Sequence, residues 1–342
     1  MKYLFIILII LIIINIISYY ISIYFYNLFF KIRYNTLKRL RFKEEDFPNL
    51  KRDKYEYLSG KNKLVGYNYY YSKENTKGII VLTHGFGAGG HNSYIDCISY
   101  LAKNNFYVFA FDFTGYDESG GEYVNGLPQG IIDLDNTLKF IKKQKDLKNL
   151  PVFLFSHSWG AYVALNILKM HPEVKATIAL APFNNSFDLL RTNSVKRMGK
   201  ISLLGLIYIK LYEKIKFGKY ANQSCIKNLE KVKSGIMIVQ SKEDIIVPIK
   251  YSYDVFYKYY KNKPNFKFKL LDNHGHIKIY YRNNNNNNNI GLKYDEYYSQ
   301  KQLCFKKNNN LKLPDDIIKN NNLLDEELFK EIINFYNYYL EH

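Results

Sequence analysis

The sequence predicts an α/β domain with a mostly parallel sheet covered by helices on both faces, preceded by one apolar helix. Apolar runs of strand length alternate with helical stretches from about residue 60 onward, which is typical of parallel strands joined by crossover helices. Residues 3–30 are uncharged, and polar side chains follow the ends of several predicted strands. A chain of 342 residues with 47% apolar side chains is large enough for one such domain.

The N-terminal segment predicts a membrane anchor. From Tyr3 to Phe30 it would form a helix about 42 Å long, which exceeds the roughly 30 Å hydrocarbon core of a bilayer. We expect residues 3–23 to span the bilayer and the tyrosines of residues 19–26 to begin an interfacial belt. A cleaved signal peptide is the alternative, but it would have an apolar core of about 7 to 15 residues and a small-x-small site. No Ala or Gly occurs before Gly60, so we favour an uncleaved anchor.

The charges around this segment predict its orientation. Lys2 and the terminal amine precede it, and basic side chains follow it at Lys31, Arg33, Lys38, Arg39, Arg41 and Lys43. The positive-inside rule then places the following domain in the cytoplasm. The three cysteines, which form no C-x-x-C pair, agree with a reducing compartment. We expect an anchor over residues 1–30, a basic juxtamembrane segment over 31–60 and one domain over 61–342.

The formal net charge of +18 raises the question of an anionic partner. No nucleic-acid-binding motif accompanies this charge, so we predict that the chain does not bind nucleic acid. A basic face toward an anionic membrane surface is the favoured interpretation.

The predicted sheet begins with residues 63–71, whose alternating pattern indicates a half-exposed antiparallel strand. Continuous apolar runs, typical of buried parallel strands, follow at residues 78–85, 104–113, 151–156, 176–182, 235–241 and 266–272. Helices are predicted around residues 93–103, 130–145, 161–170 and 251–260, and an amphipathic helix over 324–340 ends the chain.

Two segments interrupt this alternation. Residues 184–233 separate two strands and contain the amphipathic run ISLLGLIYIKLYEKI, so we expect a helical lid over the carboxyl edge of the sheet. The polar stretch over about 282–310 contains RNNNNNNNI and predicts a disordered surface loop.

Polar residues follow five of the predicted strands at their carboxyl ends, where sites form in open α/β sheets. The runs are HGFGAGG from residue 84, DFTGYDESGG from 112, SHSWG from 156, KEDIIVP from 242 and DNHGH from 272. Three of them carry Ser158, Asp244 and His276, in that order. A serine hydroxyl becomes a strong nucleophile when a histidine takes its proton and a carboxylate orients that histidine.

These motifs resemble those of the α/β-hydrolase superfamily over nearly all of residues 60–280, and the order Ser, Asp, His is the order of that fold. The set looks most like the serine-aminopeptidase-like and monoacylglycerol-lipase-like branch. The resemblance implies that Ser158 is the nucleophile, His276 the general base and Asp244 its orienting carboxylate. It also implies an oxyanion hole made by the backbone N–H groups of Phe86 and Trp159, each typically worth about 3 to 4 kcal/mol. Supporting positions would be His84, Gly85, Asp112 and Gly160.

Each assignment has an alternative. Ser158 could cap the following helix, and Asp244 could be an ordinary turn aspartate. His274 could replace His276 as the base, although the family pattern puts the base after glycine. The H-x-H pair could bind a metal, but no third ligand with suitable spacing follows, so we predict neither metal nor cofactor. We expect His157 only to pack.

Ser156 departs from the G-x-S-x-G pattern of a nucleophile elbow, because serine stands where glycine is usual. Serine is still small, so we expect a tolerated variant, with Ser156→Gly preserving or raising activity and Ser158→Ala abolishing it.

The sequence therefore predicts a membrane-anchored serine hydrolase that cleaves carboxylic esters through an acyl-enzyme. The apolar lid and the anchor favour lipid-like acyl esters as small-molecule substrates. Two alternatives stay open: an aminopeptidase or amidase using the same three residues, and a catalytically silent α/β hydrolase that serves as a membrane-tethered binding module.

Overall fold

An eight-stranded sheet forms the centre of the protein, with the strand order β1-β2-β4-β3-β5-β6-β7-β8. The computed structural model describes residues 1–36, 46–87, 89–283, 291–293, 295–296 and 323–342. The strands are β1 (Lys51–Ser59), β2 (Asn62–Tyr70), β3 (Ile79–Thr83), β4 (Tyr107–Phe111), β5 (Val152–His157), β6 (Val174–Leu180), β7 (Gly235–Ser241) and β8 (Phe266–Leu271). β2 is antiparallel to β1 and β4, and the remaining pairs are parallel. The predicted mostly parallel sheet is confirmed.

Strand β1 is not predicted by the sequence pattern, because Lys51–Ser59 falls within the segment assigned as juxtamembrane. Its sequence, KRDKYEYLS, contains no apolar run, and the strand forms by pairing along its whole length with β2. Only Tyr57 and Ser59 are buried, and the exposed side carries Lys, Arg and Glu. Charged side chains are common on edge strands because they oppose pairing with other chains. The sheet therefore begins before the first strand that hydrophobic pattern indicates.

Helices cover both faces of the sheet, as predicted. They are α1 (Lys2–Phe30), α2 (Ile95–Lys103), α3 (Leu127–Ile141), α4 (Trp159–Ile167), α5 (Ser186–Met198), α6 (Leu206–Phe217), α7 (Cys225–Leu229), α8 (Tyr253–Tyr260) and α9 (Glu326–Glu341). Side chains of α2 and α9, including Ile98 and Phe329, pack in one core cluster. Side chains of α3 and α4, including Leu134 and Val163, pack in the other.

The insertion between β6 and β7 is helical, as predicted for a lid. It contains α5, α6 and α7, with short 3₁₀ segments at Lys200–Gly205 and Gly218–Tyr220. Most of the Asn-rich stretch predicted over 282–310 lies outside the described residues. Its described part at residues 291–293 and 295–296 returns to the loop that follows β8.

Helix α1 is both apolar along its length and packed into the domain at its C-terminal end. In the part of the chain that the structure describes, it is the one helix long and apolar enough to cross a membrane. Tyr26 and Phe30 are nevertheless buried in the core cluster that contains α3 and α4. The hydroxyl of Tyr26 donates a hydrogen bond to Glu213 of α6 at 2.8 Å. The basic residues Lys38, Arg39, Arg41 and Lys43 lie outside the described residues.

Parallel pairing brings the loops after the central strands to one edge. Thr83 of β3 pairs with Ser156 of β5, and His157 pairs with Leu180 of β6. Strands β7 and β8 end beside each other at Ser241 and Leu271. The polar runs of the sequence therefore converge at the carboxyl edge, where the candidate site lies.

Candidate active site

Ser158 is a one-residue turn between β5 and α4. Because β5 ends at His157 and α4 begins at Trp159, Ser158 alone must redirect the chain. Its φ of 54° and ψ of −116° are values that a residue with a side chain adopts only when its surroundings enforce them. Its N–H donates to the carbonyl of Leu180 at 2.8 Å, and its carbonyl accepts the N–H of Tyr162 at 3.0 Å. Hydrogen bonds therefore fix both the N–H group and the carbonyl group of Ser158.

Gly160 allows this turn because α4 begins in direct contact with the end of β3. A Cβ at Gly160 would lie 2.3 Å from the carbonyl oxygen of Thr83 and 2.7 Å from that of His84. Both neighbours are backbone atoms, which do not move aside as a flexible side chain does. Glycine is required here for close approach of the helix to the strand.

The hydroxyl of Ser158 faces His276, and His276 faces Asp244. Nε2 of His276 lies 2.7 Å from Oγ of Ser158, and its Nδ1 lies 2.7 Å from Oδ2 of Asp244. All three residues are buried, with exposed fractions of 8%, 3% and 5% for Ser158, His276 and Asp244. The structure thus brings together the three predicted residues in the geometry of a Ser-His-Asp triad. The capping alternative fails, because the Ser158 side chain makes no capping hydrogen bond to α4.

Asp244 combines the role of a turn residue with that of a partner to histidine. Its Oδ1 accepts the N–H groups of Ile246 at 2.9 Å and Val247 at 2.7 Å. Its Oδ2 accepts from Gln240 at 2.8 Å, beside the contact with His276. The two alternatives for Asp244 are therefore compatible, because one carboxylate oxygen closes the turn while the other orients the imidazole.

The pKa of His276 reflects this pairing. Burial lowers the pKa of the imidazole, but the charge of Asp244 and the hydrogen bond to it outweigh burial, and Asp295 adds to the increase. The net pKa lies above the ordinary value of 6.5. An imidazole whose charged form is stabilised in this way is well suited to receive a proton during a reaction.

Asp295 is a residue of the site that sequence reasoning did not find. Its carboxylate accepts the backbone N–H groups of His276 at 2.6 Å and Ile277 at 2.9 Å. Burial raises the pKa of Asp295 to about 6. The Asp295 side chain therefore fixes the loop that carries His276, although the Asn-rich run separates the two residues in the sequence. No motif marks such a residue, so the sequence offered no signal for it.

Two backbone N–H groups near Ser158 are available to a ligand. Within the described ranges, the N–H groups of Phe86 and Trp159 have no hydrogen-bond partner. The flanking Gly85 and Gly87 donate theirs to tyrosine hydroxyls at 3.0 and 2.8 Å. The rings of Phe86 and Trp159 are in contact, with centroids 5.6 Å apart. Unpaired N–H groups of this kind are what an oxyanion hole requires.

His157 does more than pack, which corrects the expectation from the sequence. The N–H of Gly85 donates to the Tyr94 hydroxyl at 3.0 Å, and that hydroxyl lies 2.7 Å from Nδ1 of His157. Nε2 of His157 lies 2.9 Å from the carbonyl oxygen of His276. Burial, followed by the neighbouring His276, lowers the pKa of His157 well below 6.5. A neutral His157 with its proton on Nε2 therefore links the Phe86 loop to the His276 loop.

His84 and Asp112 hold the loops that follow β3 and β4. Nε2 of His84 accepts the N–H of Phe113 at 3.1 Å, and its Nδ1 lies 2.8 Å from the carbonyl of Gly85. Burial lowers the pKa of His84, which agrees with a neutral ring. Oδ1 of Asp112 accepts the backbone N–H of His91 at 2.9 Å and lies 2.8 Å from its Nδ1. None of these contacts involves Ser158.

His274 points away from Ser158. Its Nδ1 lies 2.8 Å from the carbonyl of Asp272, and its Nε2 lies 3.5 Å from Asp325 near the start of α9. The geometry therefore favours His276 over His274 as the partner of Ser158. Among the residues that the structure describes, no group of three His, Cys, Asp or Glu side chains is placed to hold a metal ion.

Ser156 is fully buried in the middle of the sheet, paired with Thr83 on one side and Ala179 on the other. Its hydroxyl has no hydrogen-bond partner among the described residues. The side chain is accommodated without distorting β5, which continues in register to His157. The serine in the usual glycine position is therefore compatible with the turn.

Comparisons with known proteins identify the class of this fold. The profile of a hydrolase family described as serine aminopeptidase, S33, matches residues 74–234. No curated protein sequence is significantly similar to the chain. Many solved structures are similar, and the chain has the α/β-hydrolase fold.

Of three similar structures, two carry the name esterase. The esterase Pf2001 of Pyrococcus furiosus superposes with a TM-score of 0.57 at 18% identity, over 80% of this chain and 96% of that one. Est1E of Butyrivibrio proteoclasticus, solved with ferulic acid bound, superposes with a TM-score of 0.51 at 15% identity, over 73% of this chain and 99% of that one. Acetyl xylan esterase 1 of a Thermoanaerobacterium species superposes with a TM-score of 0.50 at 14% identity, over 74% of this chain and 83% of that one. At these identities the similarity establishes the fold.

Proposed function

We propose that this protein is a serine hydrolase that cleaves carboxylic esters and is held at a membrane by α1. The observation that carries the proposal is the continuous hydrogen-bonded chain from Ser158 through His276 to Asp244, with contacts of 2.7 Å at each step. This is the arrangement that turns a serine hydroxyl into a nucleophile on several unrelated folds.

The reaction follows from the placement of these groups. Oγ of Ser158 attacks the ester carbonyl as its proton passes to Nε2 of His276, and Asp244 stabilises the resulting imidazolium. The N–H groups of Phe86 and Trp159 donate to the negative oxygen of the tetrahedral intermediate. The intermediate collapses when the C–O bond to the alcohol breaks and the alcohol takes the proton from Nε2. A water molecule, deprotonated by His276, then attacks the acyl-enzyme. The bond from the acyl carbon to Oγ of Ser158 breaks, Oγ takes the proton from Nε2, and the carboxylic acid is released.

The choice of an ester rests on two supports. Two similar structures carry the name esterase, and a helix of the lid carries apolar side chains suited to an acyl chain. The description of the matching family favours a second candidate, an aminopeptidase or amidase that uses the same three residues. Both reactions proceed through an acyl-enzyme, so the leaving group distinguishes them.

A panel of substrates tests this choice. The full-length enzyme, reconstituted in vesicles, is offered p-nitrophenyl esters of short and long acyl chains and aminoacyl p-nitroanilides. We expect kcat/KM for the best ester to exceed that for the best anilide by at least about tenfold. Faster turnover of the anilides would assign the protein as a peptidase. Failure of a fluorophosphonate to label Ser158 in the folded protein would instead favour a silent binding module.

The packing of α1 supports an uncleaved anchor. Removal of this helix as a signal peptide would take Tyr26 and Phe30 out of the core, at a cost of about 2 kcal/mol or more for each side chain. The positive-inside rule, applied to the basic residues that follow, places the catalytic domain in the cytoplasm. Protease protection in sealed inside-out and right-side-out vesicles tests the orientation, and a domain shielded on the outer side contradicts it.

The pH dependence of ester hydrolysis follows from the raised pKa of His276. The base must be neutral, so activity should fall as pH decreases through a pKa above 6.5. Asp295→Asn removes one charge that raises this pKa, so the acidic limb of kcat/KM should move to lower pH in that variant. A pH profile measured with a short soluble ester checks both statements. A midpoint below 6.5 in the unmodified enzyme contradicts the raised pKa of His276.

A further inference from the structure

The lid carries an apolar surface that the fold of the domain does not use. Between Lys200 and Phe217, five large apolar side chains at intervals of three or four residues are 52–75% exposed, and we call them the lid face: Ile201, Leu204, Ile207, Leu211 and Ile215. The other side of α6 buries Leu206, Glu213 and Phe217 against the domain. The segment is therefore apolar on both sides, which indicates that a second partner covers the lid face.

The lid face is continuous with α1, the candidate membrane span. The hydroxyl of Tyr208 donates to Oδ1 of Asn15 at 2.7 Å, and its ring contacts that of Tyr19 with centroids 6.3 Å apart. Further along, Gly205 lies against Ser22 and Glu213 binds Tyr26. Helix α6 and the 3₁₀ segment before it thus pack against α1, whose own isoleucines are exposed in this region.

The depth of this contact limits where the lid can be. If residues 3–23 of α1 span the hydrocarbon core, Asn15 lies about 12 Å inside the boundary near residue 23, at 1.5 Å per residue. A side chain that binds Asn15 must then reach the bilayer. Amphipathic helices that lie in the membrane interface bury their apolar faces by about 5–10 Å, which is comparable to this depth.

The charges of the same segment fit a lipid surface better than a second copy of the chain. Exposed lysines flank the lid face at Lys200, Lys210, Lys214 and Lys219, and the single acidic side chain between them, Glu213, is buried. Long lysine side chains can extend to anionic head groups while their stems cover apolar surface. In a symmetric dimer the same lysines would face each other and repel.

We propose that the lid face is a second membrane-binding surface, embedded in the same bilayer that holds α1. This proposal rests on the anchor role proposed above for α1. The lid would lie in the interface region of the membrane, and the side chains of Ile207, Leu211 and Ile215 would lie among the lipid acyl chains. The lid would then pass acyl substrates to Ser158 directly from the bilayer.

Fluorescence quenching in vesicles tests the proposal independently of activity. An environment-sensitive NBD fluorophore is attached to Leu211→Cys in a Cys304→Ser background of the full-length chain, reconstituted in vesicles of phosphatidylcholine and phosphatidylserine. Leu58→Cys is the matched control, because Leu58 is also an exposed leucine, at 68%, but lies on edge strand β1. Ile10→Cys reports on α1 itself. A circular-dichroism spectrum and a thermal unfolding transition that match those of the unlabelled protein show that each variant is folded.

Lipids brominated in their acyl chains should quench the fluorophore at positions 10 and 211 and leave it bright at position 58. Quenching at 10 but not at 211 overturns the membrane-bound lid and leaves the anchor intact. A fluorophore at position 211 that is blue-shifted but unquenched also overturns the membrane-bound lid. Its environment would then be apolar without lipid, so protein would cover the lid face. If position 10 is also unquenched, the anchor itself is wrong.

Discussion

Replacing Ser158 with alanine should lower kcat for ester hydrolysis by at least about a thousandfold. The substitution removes the one oxygen that lies 2.7 Å from Nε2 of His276, so no acyl-enzyme can form. The loss should appear in kcat, because the lid and the N–H groups proposed to bind the substrate remain. Measurement of kcat and KM with a short chromogenic ester, on the full-length variant in vesicles, provides the check.

Ser156→Ala is the matched control for this variant, because it removes a hydroxyl two residues away, on the strand that precedes the turn. The Ser156 hydroxyl has no hydrogen-bond partner among the described residues, and loss of an unsatisfied buried hydroxyl is neutral or stabilising by about 1 kcal/mol. We expect full activity and an unchanged or slightly higher free energy of unfolding. Equal losses of kcat in Ser156→Ala and Ser158→Ala would show that the turn, and not the Ser158 oxygen, determines activity.

Gly160→Ala should lower the free energy of unfolding by about 3 kcal/mol or prevent folding. The new Cβ would lie 2.3 Å from the Thr83 carbonyl oxygen and 2.6 Å from its carbonyl carbon, so α4 or β3 must shift. Because Trp159 begins α4, its N–H would move with the helix, and kcat should fall even if the protein folds. Denaturant unfolding and ester kinetics on the same preparation measure both effects.

Gly60→Ala provides the comparison for that variant. The φ of Gly60 is 59°, a value that strains any residue with a side chain. Unlike at Gly160, a Cβ added at Gly60 would have no other atom within 4 Å. Backbone strain alone costs about 1–2 kcal/mol. A loss of stability in Gly160→Ala no greater than in Gly60→Ala would contradict the close approach of α4 to β3.

The parallel part of the sheet was predictable because each of its strands is an apolar run that ends in polar residues. The three residues Ser158, Asp244 and His276 were predictable as a set, because parallel strands place their carboxyl ends at one edge. Strand β1 was not predictable from the sequence. It is an edge strand with one exposed face, and its charged side chains leave no apolar run. Its position comes from pairing with β2, which no local pattern encodes.

The partners that hold the site were less visible in the sequence. Asp295 binds the His276 loop from the far side of the Asn-rich stretch, and the link between Tyr94 and His157 joins residues that are 63 positions apart. Such contacts depend on the tertiary packing of loops. The dual character of α1 was hidden for a related reason, because isoleucine and phenylalanine look the same in sequence whether lipid or a protein core surrounds them.

The most direct test of the account is to identify which residue a fluorophosphonate modifies in the folded, full-length protein. The probe reacts with a serine only when a neighbouring base activates its hydroxyl, which is the state that His276 and Asp244 would create at Ser158. Mass spectrometry of the digested adduct should find the phosphonate on the peptide that contains Ser158, and heat-unfolded protein should remain unlabelled. A folded protein without an adduct, or with the adduct on a different residue, would contradict the assignment of Ser158 as the nucleophile.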